Sequence, residues 1–131
     1  MKKDTFRRLK ACCGIVNDKK CTEVKLLDVR GTSSIVDYVI LASCNSEPHL
    51  KAVGWAIYEA LKNQFGQICR VDYQPMSGWF ALDAFDIMVH AMTNAVREEY
   101  KIDRLLKDAV ILDSETIFPV DINEKCTACV Q

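Results

Sequence analysis

Ile35-Val36-Asp37-Tyr38-Val39-Ile40-Leu41-Ala42-Ser43 is followed closely by Asn45-Ser46-Glu47-Pro48, and the fold turns on these two stretches. From Tyr38 to Ala42 every residue is apolar, so a strand there has both faces covered and belongs near the centre of a sheet. In the second stretch a Ser or Asn oxygen can accept the amides that open a helix. Pro costs nothing in a first turn whose N–H groups lack partners. The helix predicted from this start runs to about Phe65, with Leu50, Val53, Gly54, Ile57 and Leu61 as its buried stripe. Gly66 is placed to end it in the left-handed conformation. A further extended stretch lies at residues 68–73, ICRVDY, and strand, helix and strand together predict a right-handed βαβ crossover.

Working outward, residues 21–30 (CTEVKLLDVR) read as a strand, and Gly31-Thr32-Ser33-Ser34 supplies a turn before the central one. Ahead of it, residues 4–16 place Phe6, Leu9, Cys13 and Val16 at helical spacing between basic positions. After Pro75-Met76-Ser77-Gly78, the segments WFALD and DIMVHAMT predict an antiparallel hairpin joined at Ala84-Phe85. The joint holds no Asn-Gly or Asp-Gly pair to set its turn type. A last helix is predicted from Asn94, its cap, to Ala109, with Ile102, Leu105, Leu106 and Ala109 on one face. The expected fold is α/β (α+β mixed): a five-stranded mixed sheet with one parallel crossover and helices on its faces. Residues 1–110 make one domain, and residues 111–131, where no period survives, read as a C-terminal extension.

The chain has 131 residues, 50% of them hydrophobic, and a formal net charge of -1. That suits one α/β domain and argues neither for nucleic acid nor for an acidic substrate. Charge is nevertheless uneven, because Lys2, Lys3, Arg7, Arg8, Lys10, Lys19 and Lys20 face only Asp4 and Asp18 in the first twenty residues. This basic head reads either as a solvated helix face or as an attraction to RNA. The start of the chain lacks the apolar run of a signal peptide, so the seven cysteines are expected to be reduced thiols in the cytoplasm. No apolar run approaches the ~20 residues that a membrane-spanning helix needs.

Candidates for chemistry are few. His90 shares a strand face with Met88 and Met92 and reads as a hydrogen-bonded packing residue. His49 lies near Ser43 and Ser46, yet no Gly-x-Ser-x-Gly elbow accompanies them. Asp83 and Asp86 flank the hairpin turn, where carboxylates commonly accept local amides rather than hold a metal. Cys126-Thr127-Ala128-Cys129 is half of a zinc shell, to be completed by Cys21 or Cys69 only if folding brings them near. No Gly-rich phosphate loop is present. Neither a cofactor nor a metal is therefore expected. Trp79, which starts a strand after a Pro/Gly loop, reads equally as a core residue or as an interface anchor.

In order along the chain, Leu27-Asp28-Val29 with Gly31-Thr32-Ser33-Ser34, Asp37-Tyr38-Val39-Ile40 with Ser43 and Ser46, and His49-Leu50-Lys51-Ala52 resemble the Iojap/RsfS family of ribosomal silencing factors. So do Gly78-Trp79-Phe80-Ala81-Leu82-Asp83, Asp86-Ile87-Met88-Val89-His90, and Arg97 with Tyr100. The likeness spans roughly residues 4–109. It implies a nucleotidyltransferase-like architecture without catalysis, and a protein that docks on protein fourteen of the large ribosomal subunit. Seated there it keeps the small subunit from joining and represses translation. Trp79, Phe80, Leu82, Asp83, Asp86, Arg97 and Tyr100 are the expected partner-binding residues, and a homodimer is the expected assembly. The basic head would add nonspecific contact with ribosomal RNA. Departures from the family pattern are Cys44 for a glycine, Gln74-Pro75 for Glu-Gly, Phe85 for the hairpin glycine, and Leu106 for a tryptophan. The alternative from another class is a metal-dependent nucleotidyltransferase-like enzyme using Asp37, Asp83 and Asp86.

Overall fold

All seven residues of the strand Tyr38–Cys44 (β2) are buried. Its neighbours on either side are Thr22–Asp28 (β1), antiparallel, and Ile87–Thr93 (β5), parallel from Tyr38↔Ile87 to Cys44↔Thr93. The computed structural model describes residues 3–113 of the chain. With Arg70–Tyr73 (β3), Trp79–Asp83 (β4) and Val110–Leu112 (β6), the sheet has six strands in the order β3-β4-β5-β2-β1-β6. Five were expected. The sixth is too short to show an alternation, and pairing of Ile111 with Leu27 of β1 holds it to the sheet across the expected boundary at residue 110.

The helix Glu47–Phe65 (α2) forms as its sequence signals dictate. Ser46 accepts the His49 amide at 3.2 Å, Pro48 sits in the first turn, and Gly66 closes the end at φ 64°. The buried stripe is the predicted one. The crossover lands elsewhere than on a neighbour of β2, because α2 carries the chain to β3 at the sheet edge. β4 and β5 then return antiparallel, so that β5 becomes the parallel partner of β2.

The first helix, Lys3–Asp18 (α1), buries Thr5, Arg8, Leu9, Cys12 and Val16. Arg8, counted above with the basic head, goes inside because Asp86 of the β4–β5 turn receives its two terminal nitrogens at 2.7 and 2.9 Å. Asp4 takes its Nε at 2.9 Å. Burial raises the Asp86 pKa, but the hydrogen bonds from Arg8 and Thr5 outweigh it and hold the carboxyl below its usual range.

The single helix predicted for residues 94–109 is interrupted. Asn94–Tyr100 (α3) stops at Lys101, which takes φ 50°, and Ile102–Leu105 (α4) resumes beyond it. Thr93, not Asn94, caps α3 by accepting the Val96 amide. The break turns Leu105 into solvent, 78% exposed, while Ile102 stays buried.

Two cores result. On one face α1 and α2 cover Ile40, Ala42, Phe80, Leu82 and Val89. On the other, Val39, Leu41 and Met92 pack with Ile102, Val96 and Leu106. At Gly54 the helix α2 lies so close to the sheet that an added Cβ would stand 2.5 Å from the Phe80 ring. Gly54→Ala should therefore destabilise the protein by about 1–3 kcal/mol, as overpacking does, although alanine is the better helix former by ~1 kcal/mol. Urea denaturation of the two proteins measures it, and an equal or higher midpoint for the variant would contradict the close approach.

Candidate functional site

The helices α3 and α4 cover the second face only in part. Beside them, Arg70, Asp72, Gln74, Ser77, Trp79, Ala81, Asp83, Met88 and His90 line a shallow concavity of about 550 Å³ on β3, β4 and β5. Strand alternation builds it: Ala81 pairs with His90 and Asp72, and Asp83 pairs with Met88 and Arg70, so same-face side chains meet across the ladder.

Within it the Trp79 Nε1–H donates to His90 Nδ1 at 3.0 Å, with the ring centroids 5.7 Å apart. Tyr100, at the end of α3, lies 5.2 Å from the Trp79 ring and is 56% exposed. Trp79 itself is half-buried. Burial lowers the His90 pKa, and an Nδ1 that accepts a hydrogen bond from the Trp79 indole belongs to the neutral ring with its own proton on Nε2.

Four of the residues expected at this site, Phe80, Leu82, Arg97 and Asp86, point elsewhere. Phe80 and Leu82 alternate onto the opposite face, each 1% exposed, and pack beneath α2. Arg97, 5% exposed, is enclosed: it donates to both Asp103 oxygens at 3.0 and 2.9 Å, to Ser43 Oγ at 2.9 Å and to the Glu23 carbonyl at 2.6 Å. That carbonyl is available because β1 bulges between Thr22 and Lys25, with Glu23 at φ 48°. Lys25 meets Asp103 at 2.6 Å. Hydrogen bonds from Arg97, with help from Lys25 and against burial, hold the Asp103 carboxyl far below the usual range. Arg97 is thus a scaffold residue that fixes α3 and α4 to β1 and β2, and Phe80 and Leu82 are core.

The acidic candidates separate as well. Asp83 lines the concavity and accepts the Phe85 amide at 3.0 Å. Asp86 is turned to α1 and holds Arg8. Asp37 is exposed, and its amide donates to the Asp86 carbonyl. Phe85 sits at φ 69° and is 77% exposed. Alternation from Trp79 would have found Ala81 beside Asp83 in the sequence. Arg70, Asp72 and Met88 needed the strand register. Among the described residues no helix is long and apolar enough to cross a membrane.

An α/β domain with one helix-covered sheet face and one half-bare face bearing an aromatic cluster is the class of structure defined here. The family described as "Ribosomal silencing factor during starvation" matches residues 2–128, and the chain belongs to that family. Ribosomal silencing factor RsfS of Zymomonas mobilis is 29% identical over 97 residues, 74% of this chain and 73% of that protein. The protein of the same name from Halalkalibacterium halodurans is 27% identical over 109 residues, covering 83% and 93%. A crystal structure of a Chromobacterium violaceum protein superposes with a TM-score of 0.71 at 26% identity, covering 80% of this chain and 86% of that one.

Two outcomes test this geometry. Asp103→Ala leaves the buried Arg97 charge without its main partner and should cost about 3 kcal/mol of stability, read by chemical denaturation; a change within 0.5 kcal/mol, about that of a surface substitution, would refute the enclosed network. For His90, the folded-state pKa lies below the ordinary value of 6.5, so its contribution to stability is present above that pH and is lost as pH falls through the folded value. In a Trp55→Phe background, Trp79 fluorescence should titrate with a midpoint below 6.5, and His90→Gln should abolish that transition.

Proposed function

We propose that this chain is a cytoplasmic translation repressor without catalytic activity, which binds the large ribosomal subunit and blocks subunit joining by occupying the surface the small subunit needs. The observation that supports the reading is the bare face around Trp79, in a chain that belongs to the ribosomal silencing factor family. Its partner is protein fourteen of the large subunit. Trp79, Tyr100 and Met88 provide apolar contact and Asp83 provides acidic contact with the partner's basic side chains. A standard interface of about 800 Å² per partner can be centred there.

The exposed bases of α1, Lys3, Arg7 and the following Lys19 and Lys20, lie on the helix-covered side, across the sheet from the concavity. Contact with ribosomal RNA through them is therefore separable from contact with the protein partner, and it alone should weaken steeply with salt. Self-association belongs to the same proposal, and sedimentation of the free protein reads it. The enzymatic alternative gains nothing from the carboxylates, since Asp83 and Asp86 engage different groups.

Sedimentation of ribosomal subunits at constant magnesium tests the proposal. Added protein should reduce the joined peak and co-migrate with the large subunit. Trp79→Ala should weaken that binding by about 2 kcal/mol, roughly thirtyfold, and Ala81→Arg, which fills the face without opening the core, should weaken it as well. An undiminished joined peak at saturating protein would sink the repressor reading; unchanged affinity of both variants would move the site elsewhere.

A further inference from the structure

The thiols of Cys21 and Cys44 and the ring of His49 form a cluster outside the concavity, with one donor atom of each within 4.8 Å of the others. Three elements bring them together. Cys21 closes the loop after α1, its amide bonded to the Val16 carbonyl. The Thr22↔Ser43 pairing sets it opposite Cys44 at the end of β2. His49 lies in the first turn of α2.

The separations decide what the cluster suits. Two sulfurs on one tetrahedral zinc, each at about 2.3 Å, stand about 3.8 Å apart, whereas disulfide sulfurs are about 2.05 Å apart. Cys21 Sγ and Cys44 Sγ are 4.0 Å apart, close to the first value. The imidazole is prepared too. The Asn45 amide donates to Nδ1 at 2.9 Å, which leaves Nε2 to carry the proton and donate to the Lys19 carbonyl at 2.6 Å. A neutral ring whose Nε2–H is held by a backbone carbonyl and whose Nδ1 bears a lone pair is the state a metal-bound histidine adopts. An ion would replace the Asn45 amide at Nδ1.

We propose that Cys21, Cys44 and His49 bind one zinc ion, with water as the fourth ligand. Two sulfurs and an imidazole, with no carboxylate, select a soft or borderline ion over magnesium or calcium. Cys21 and His49 are half-buried, which leaves a side open to solvent, while Cys44 is fully buried. The bound ion ties the loop after α1 to the ends of β2 and α2, and so stabilises the folded state in proportion to the logarithm of its concentration.

The experiment uses the full chain, reduced, with Cys126→Ser and Cys129→Ser so that the C-x-x-C pair contributes nothing. Cobalt is titrated in as a spectroscopic probe and then displaced with zinc. A sulfur-to-cobalt charge-transfer band saturating at one equivalent, with the intense visible bands of tetrahedral cobalt, is the expected result. Cys21→Ser and His49→Ala should each lower the affinity at least about tenfold, with the metal-free Cys21→Ser protein melting as the parent does. No charge-transfer band, or one indifferent to Cys21→Ser, would overturn the proposal.

Discussion

The guanidinium of Arg97 reaches at once the bulged carbonyl of β1, the hydroxyl of Ser43 in β2 and both oxygens of Asp103. A charge so enclosed is tolerable only if its partners are all in place. Asp103 can return to it only because the chain turns at Lys101 in the left-handed conformation, ending α3 after seven residues. The second layer of helix is therefore short, with α3 packed over β5 and β2. The bare half of the sheet, with Trp79 at its border, follows from that brevity.

A second arginine does the equivalent work on the other face. Arg8 reads from sequence as part of a basic head, yet its partner Asp86 lies 78 residues away, and only the folded β4–β5 turn brings the two together. Nothing in local periodicity distinguishes such a residue from the solvated Arg7 beside it. Both ion-pair networks join elements distant in the chain, which is why neither was legible.

What was legible shares a different property. β2, α2 and the β4–β5 hairpin declare themselves within a single window: an unbroken apolar run, a cap with proline and a terminal glycine, and two alternating strands. β6 is three residues long and exists only through its pairing with β1, and the break at Lys101 answers to Arg97 rather than to any helix-stopping residue. At the site, Trp79, Asp83 and Tyr100 were legible as surface candidates. Phe80 and Leu82 belong to the other face by the same alternation, and His90 as the hydrogen-bond partner of Trp79 required the register of two strands.

The contact between Gly54 and Phe80 has a consequence for descent as well as for packing. Phe80 is flanked in β4 by Trp79 and Ala81, which look out on the bare face, while its own ring is wedged beneath α2 between Tyr73 and Trp55. Neither position can gain bulk unless the other loses it, so lineages should change the two together. Any such paired drift would shift the strand that carries the outward-facing indole, coupling the history of a hidden seam to that of the exposed face.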